Sequence, residues 1–218
     1  MTLPTETAAG AAATAERFEF VGGRLCLDFT NTVTWTGDGL ENERLESPAD
    51  LAAWGLAAGV LDDGQARTLA SLAGDAGREL LRAALRLRAG LHGIFLAHAA
   101  GRAPSADDLA ALNEALVAAA PHLRVGAAGG RYLWEWTPGG APDRVLWHVA
   151  WSAANLLADD DDLARVRTCG SEDCGWLYVD ESRNHSRRWC EMKSCGNRAK
   201  ARRHYERKRA RRVDPSCA

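Results

Sequence analysis

An α+β fold in two parts is predicted: a mixed helix and β-hairpin domain, then a small cysteine-rich module that ends in a basic helix. Three features of the sequence point there. From Phe18 to Ala158, helix-period apolar segments alternate with short apolar runs separated by glycine turns. Four cysteines near the C-terminus stand in two close pairs, Cys169 and Cys174, then Cys190 and Cys195. After the last of them, Gly196 to Arg212 carries nine Lys or Arg and no proline.

Taken in order, residues 1–16 are rich in Ala, Thr and Gly and read as a frayed tail. Phe18 to Val33 reads as two strands turned at Gly22-Gly23, because Leu25, Leu27 and Phe29 alternate with Cys26, Asp28 and Thr30. Asp28, Asn31 and Thr32 form a polar cluster at the strand end. They either line a small-molecule pocket or tie down the following loop through local bonds to the backbone. Ser47-Pro48 with Asp50 opens a helix that buries Leu51 and Trp54. Further helices are expected over Gln65 to Ala73 and Arg78 to Ala100, the second with Leu80, Leu87, Leu91 and Phe95 at helical spacing. His92 and His98 lack a ligand-spaced partner and read as helix-surface or satisfied core residues. Ser105 and Asp108 form another capping pattern. Paired strands around a Gly126 to Gly130 turn should put Trp134 and Trp136 on one apolar face. Asp143 should cap a helix from Arg144 to Ala158, and Asp159 to Asp162 reads as a solvated linker or, less simply, as an intramolecular competitor of phosphates for the arginines of the basic segment.

The cysteine spacing is C-x4-C, fifteen residues, C-x4-C. Two such pairs can converge on one tetrahedral zinc ion, and four thiolates would close it without leaving a position for water, so the metal would hold structure. A treble-clef or zinc-ribbon-like module is expected. A disulfide framework is the weaker reading, since the apolar content suffices for a core and no export signal is evident. Cys26 reads as core, and Cys217 stands alone. No apolar run reaches the roughly 20 residues of a membrane span, so a cytoplasmic protein is expected.

Charge separates the two parts. Arg165 to Val213 holds fifteen Lys or Arg against six Asp or Glu, a balance of +9, whereas the remainder holds twelve against twenty-three, a balance of −11. A zinc bound by four thiolates would lower the basic part to about +7. The candidate nucleic-acid contacts are Arg183, Arg187, Arg188, Arg198, Lys200, Arg202, Arg203 and Arg209. In a helix, Arg198, Arg202, Tyr205, Arg209 and Arg212 share one face. Such a helix fits a major groove.

On these residues the segment Cys169 to Lys208 resembles the CGNR zinc finger. It has the two cysteine pairs, Asp180 to Asn184 as D-x-S-R-N, Ser186 to Cys190 as S-R-R-W-C, and Cys195 to Lys200 as C-G-N-R-A-K. Gly22 to Thr32 and Ser47 to Trp54 are similar to the ABATE domain that precedes that finger. The resemblance implies that the tail at 1–16 is followed by an ABATE-like regulatory or sensor domain at 17–163 and a finger at 164–213. It further implies one structural zinc on Cys169, Cys174, Cys190 and Cys195, and a bacterial DNA-binding transcription regulator. No catalytic set accompanies it, so an enzyme is not expected. The expected partners are DNA, a small-molecule effector on the N-terminal domain and a second copy of the chain. RNA or single-strand binding, with Trp189, Trp176 or Tyr205 stacking on bases, is the alternative.

Overall fold

Leu177 and Val179 belong to one core and Trp176 and Tyr178 to another, although the four are consecutive. That division organises the molecule, a computed structural model that describes residues 17–37 and 39–213, with side chains as far as Arg209. The expected tail at 1–16 and Cys217 lie outside the described residues.

The chain enters at Phe18, which is buried, while Arg17 pairs with Asp50. The strand expected after Gly22-Gly23 is instead a short helix, α1 (Leu25–Thr30). Cys26, Leu27, Asp28, Phe29 and Thr30 are all buried, so alternation carried no information about a face. The Asp28 carboxylate accepts from Gly22 N at 2.7 Å, folding the glycine turn back over the helix start. Gly22 O in turn accepts from Val179 N at 2.9 Å. Two three-residue strands that the pattern did not signal follow, β1 (Thr34–Thr36) and β2 (Gly39–Glu41), paired antiparallel.

Next come α2 (Pro48–Ala57), α3 (Asp63–Ala70), α4 (Gly74–Ala99) and α5 (Ala106–Ala119). Ser47 and Ser105 cap α2 and α5 by accepting from Asp50 N and Asp108 N, as their spacing requires. A reciprocal capping box of Asp62 and Gln65 starts α3. One 3₁₀ turn (Ala120–His122) leads to the hairpin β3 (Leu123–Ala128) and β4 (Arg131–Trp136), with Gly126 inside the strand and not in the turn. Helix α6 (Arg144–Ala158) begins at Asp143, whose carboxylate accepts from Trp147 Nε1 at 3.0 Å and not from the helix backbone. Trp136 lies among Trp147, His148 and Trp151, while Trp134 remains largely exposed, so the aromatic face is only half covered.

The aspartate run is not a free linker. Asp159 caps a short helix, α7 (Asp160–Leu163), by accepting from Asp162 N at 2.9 Å, and Asp162 pairs with Arg24 and Arg165. Strands β5 (Val166–Thr168) and β6 (Leu177–Val179) then pair antiparallel. Val166, Leu177 and Val179 join Leu27, Phe29, Leu87 and Leu91 in the main core. A five-residue π turn (Met192–Gly196) and the helix α8 (Asn197–Val213) complete the chain. Among the described residues, no helix is long and apolar enough to cross a membrane.

Candidate metal centre and nucleic-acid interface

Alternation along β6 creates the site. Successive side chains of a strand point to opposite faces, so Leu177 and Val179 fill the main core while Trp176 and Tyr178 turn to the cysteines. The first pair lies in the turn between β5 and β6, where Cys169 N donates to Trp176 O at 2.8 Å. Cys190 ends the following loop, and Cys195 sits within the π turn. All four are buried, and their sulfurs lie within 4.8 Å of one another. Cys174 to Cys190 and Cys190 to Cys195 are each 3.6 Å between sulfurs. A tetrahedral zinc with bonds of about 2.3 Å requires sulfur separations of about 3.8 Å, whereas a disulfide requires about 2.05 Å. The four thiols therefore form a zinc site.

Charge supports the same conclusion. Thiols of Cys174 and Cys190 and backbone amides donate toward Cys169, so its thiolate forms readily. That charge then raises Cys174 and Cys190. Only a cation at the centre makes four adjacent thiolates favourable. Cys190 N lies 3.4 Å from the Cys169 sulfur, and Arg198 Nη2 donates to the Cys195 sulfur at 3.1 Å, supplying the outer donors that stabilise sulfur ligands. Helix α8 starts at Asn197, two residues after Cys195, so its positive end lies next to the anionic cluster in the chain.

The site is seated in the N-terminal region by backbone contacts. Asn31 is bidentate with Leu177, donating to its carbonyl at 2.9 Å and accepting from its amide at 3.0 Å. Trp35 N donates to Cys174 O at 3.1 Å, and Trp176 Nε1 donates to Val33 O at 2.8 Å. His92 stacks on Trp35 with ring centroids 3.8 Å apart, and its Nε2 lies 3.0 Å from Gly175 O. Because a carbonyl only accepts, Nε2 carries the proton, and burial holds the ring below its ordinary pKa and neutral. Gly175 has φ +65°, and a Cβ there would stand 2.2 Å from Trp35 O. The position requires glycine.

Asp28, Asn31 and Thr32 are buried among these contacts, away from the hollows beside Cys190, beside Trp189 and between α4, α5 and α6. Asp28 holds Gly22, Asn31 holds β6, and Thr32 donates to Phe29 O and accepts from Arg88 Nη1 at 3.0 Å. Burial pushes the Asp28 carboxyl up to about 6. His92, read from the sequence as a helix-surface or satisfied core residue, is the satisfied core residue. Sequence reasoning missed Trp35 and Gly175, and the signal for them was the glycine directly after a ligand.

The predicted cations divide. Arg183, Arg188, Arg198, Lys200, Arg202, Arg203 and Arg209 are exposed. Arg187 is not: its guanidinium donates to Val21 O, Trp189 O and Cys190 O and lies 4.2 Å from the Tyr178 ring centroid. It ties the finger loop to the N-terminal region. Trp189 has Arg188 and Arg203 at 5.6 and 5.9 Å from its ring. Beside it a hollow of about 440 Å³ is bordered by Ser186, Arg188 and Met192. From Lys200 to Arg209 every residue of α8 is exposed.

Comparison with known proteins agrees with this geometry. Residues 23–160 match the ABATE family model, whose description reads "putative stress-induced transcription regulator", and residues 165–208 match the CGNR zinc finger. No curated protein matches the chain. The first match spans more than half of the 218 residues, and the second encloses all four cysteines of the zinc site: the chain belongs to the ABATE family and carries a CGNR zinc finger.

Proposed function

We propose that the chain is a zinc-dependent, DNA-binding transcription regulator of the cytoplasm, responsive to stress or to a ligand through its N-terminal region. The observation that carries this is α8, a 17-residue helix of about 25 Å that carries nine Lys or Arg and is anchored at one end by the zinc site. A helix of nine cations repels itself in water, and neutralisation by phosphates along its length removes that repulsion. Arg183 and Arg188 on the finger loop extend the same basic surface. Binding, and no reaction, is the chemistry assigned to it.

For the ligand response, a cavity of about 350 Å³ between α4, α5 and α6, bordered by Leu80, Leu87, Ala115 and Trp147, supports a small apolar effector. A thermal-shift screen of metabolites checks it.

Titration of duplex DNA binding against salt tests the main reading. With about five to seven phosphates neutralised, log K against log salt should slope by roughly −4 to −6. A flat response excludes it. The exposed ring of Tyr205, with the half-buried ring of Trp189, favours a second reading, stacking on single-stranded bases. Competition among duplex DNA, single strands and structured RNA at one salt concentration separates the two.

A further inference from the structure

We propose that two copies of this chain pair through the free edge of β4, joining two hairpins into one four-stranded antiparallel sheet. Strands β3 and β4 form a two-stranded sheet, and among the described residues no further strand pairs with either. Thr137 N donates to His122 O at 2.8 Å, which fixes the phase of the ladder. By alternation, Arg131, Leu133 and Glu135 direct their backbone toward β3, and Tyr132, Trp134 and Trp136 direct theirs outward. The outward edge carries Tyr132 at 83%, Trp134 at 62% and Leu133 at 47% exposure, with Val125 beside them at 59%. No proline interrupts residues 131–136. An open edge flanked by large exposed apolar side chains is a surface built to be covered.

The sequence of β4 selects an identical strand as the cover. A two-fold axis at Leu133 sets Leu133 against the partner's Leu133 and Tyr132 against the partner's Trp134. It also sets Arg131 against the partner's Glu135. Each contact except the central one occurs twice, and opposite charges meet on both sides. Outward backbone groups of Tyr132 and Trp134 meet those of the partner as hydrogen-bonded pairs, leaving the leucines as the close, non-bonded pair. Neighbouring registers fail: an axis at Tyr132 puts Arg131 against leucine, and one at Trp134 puts Leu133 against glutamate. Glu135 already has Arg124 at 3.3 Å within its own chain and is only half-buried, so it can receive the second guanidinium. The pairing does not depend on DNA binding, but it carries two fingers in one particle.

Sedimentation equilibrium of the full, zinc-loaded chain tests this. The unaltered chain forms dimers in the micromolar range. L133K places two ammonium groups at the axis and weakens association about tenfold or more. R131E sets like charges opposite Glu135 and weakens it several-fold, while R131E with E135R restores opposite charges and recovers most of the affinity. All three positions lie on a hairpin outside the core, and circular dichroism with zinc content verifies folding; should L133K not fold, R131E alone decides. A chain that stays monomeric, a dimer indifferent to L133K and R131E, or a double variant that stays weakened overturns the proposal.

Discussion

The two halves of the finger are held by different forces. Its first half, β5, the turn with Cys169 and Cys174, and β6, is built into the N-terminal core through Val166, Leu177 and Val179 and through the Asn31 pair. The loop that follows is pinned by Asp180, which accepts from Ser182 and Arg187 amides, and by the Arg187 guanidinium. Among the described residues, its last part, the π turn and α8, is held by the sulfur cluster, by Arg202 with Glu172 at 2.9 Å and by Arg203 over Trp189. An exposed ion pair contributes little, and a 17-residue helix of like charge is marginal alone. Zinc therefore joins a base that is already folded to a helix that otherwise lacks support.

The largest expected effect follows from that join. C190S with C195S should abolish metal binding, melt α8 and reduce duplex affinity at least about 100-fold, since structural zinc supplies on the order of 10 kcal/mol in finger peptides. Circular dichroism should register the loss of one helix, while the cooperative transition of the core survives. The complementary break is at the base. Asn31→Leu strands the amide and carbonyl of Leu177 in the core and should cost about 2–4 kcal/mol in denaturant unfolding. Gly175→Ala should cost a similar amount, through the contact with Trp35 O and the positive φ.

Asp28 sharpens the comparison through pH. Its folded pKa of about 6 lies above the ordinary 3.8, so between about pH 4 and 6 the folded state binds more protons than the unfolded one. Stability attributable to Asp28 is therefore highest near pH 4 and falls as pH rises through 6. Asp28→Asn should remove that slope, up to about 3 kcal/mol, in unfolding measured across the window. The smallest effects distinguish two adjacent arginines. Arg187→Ala should lower stability, whereas Arg188→Ala should change stability by less than about 0.5 kcal/mol and weaken DNA binding several-fold.

How far the sequence could be read depended on the range of each interaction. Caps such as Ser47 and Ser105 act over three residues, and the cysteine pairs over five, so both were legible. Helix α1 was not: Cys26 to Thr30 are all buried and show no period, and the alternation of Leu25, Leu27 and Phe29 imitated a strand. The aspartate run was equally opaque, because Arg24, which orders Asp162, lies 138 residues away. Similarly, Asn31 reads as a loop-former until its partner Leu177, 146 residues on, is in place. Arg187 resembled its neighbours in sequence, and only the ring of Tyr178 and the carbonyl of Val21 set it apart.

Hydrogen exchange on the full chain, with zinc and after chelation, tests the join most directly. Amides of residues 192–213 should lose protection on chelation while α1, β5 and β6 keep theirs. Loss of protection throughout 166–179 and α1, or a helix α8 that stays protected without metal, would contradict it.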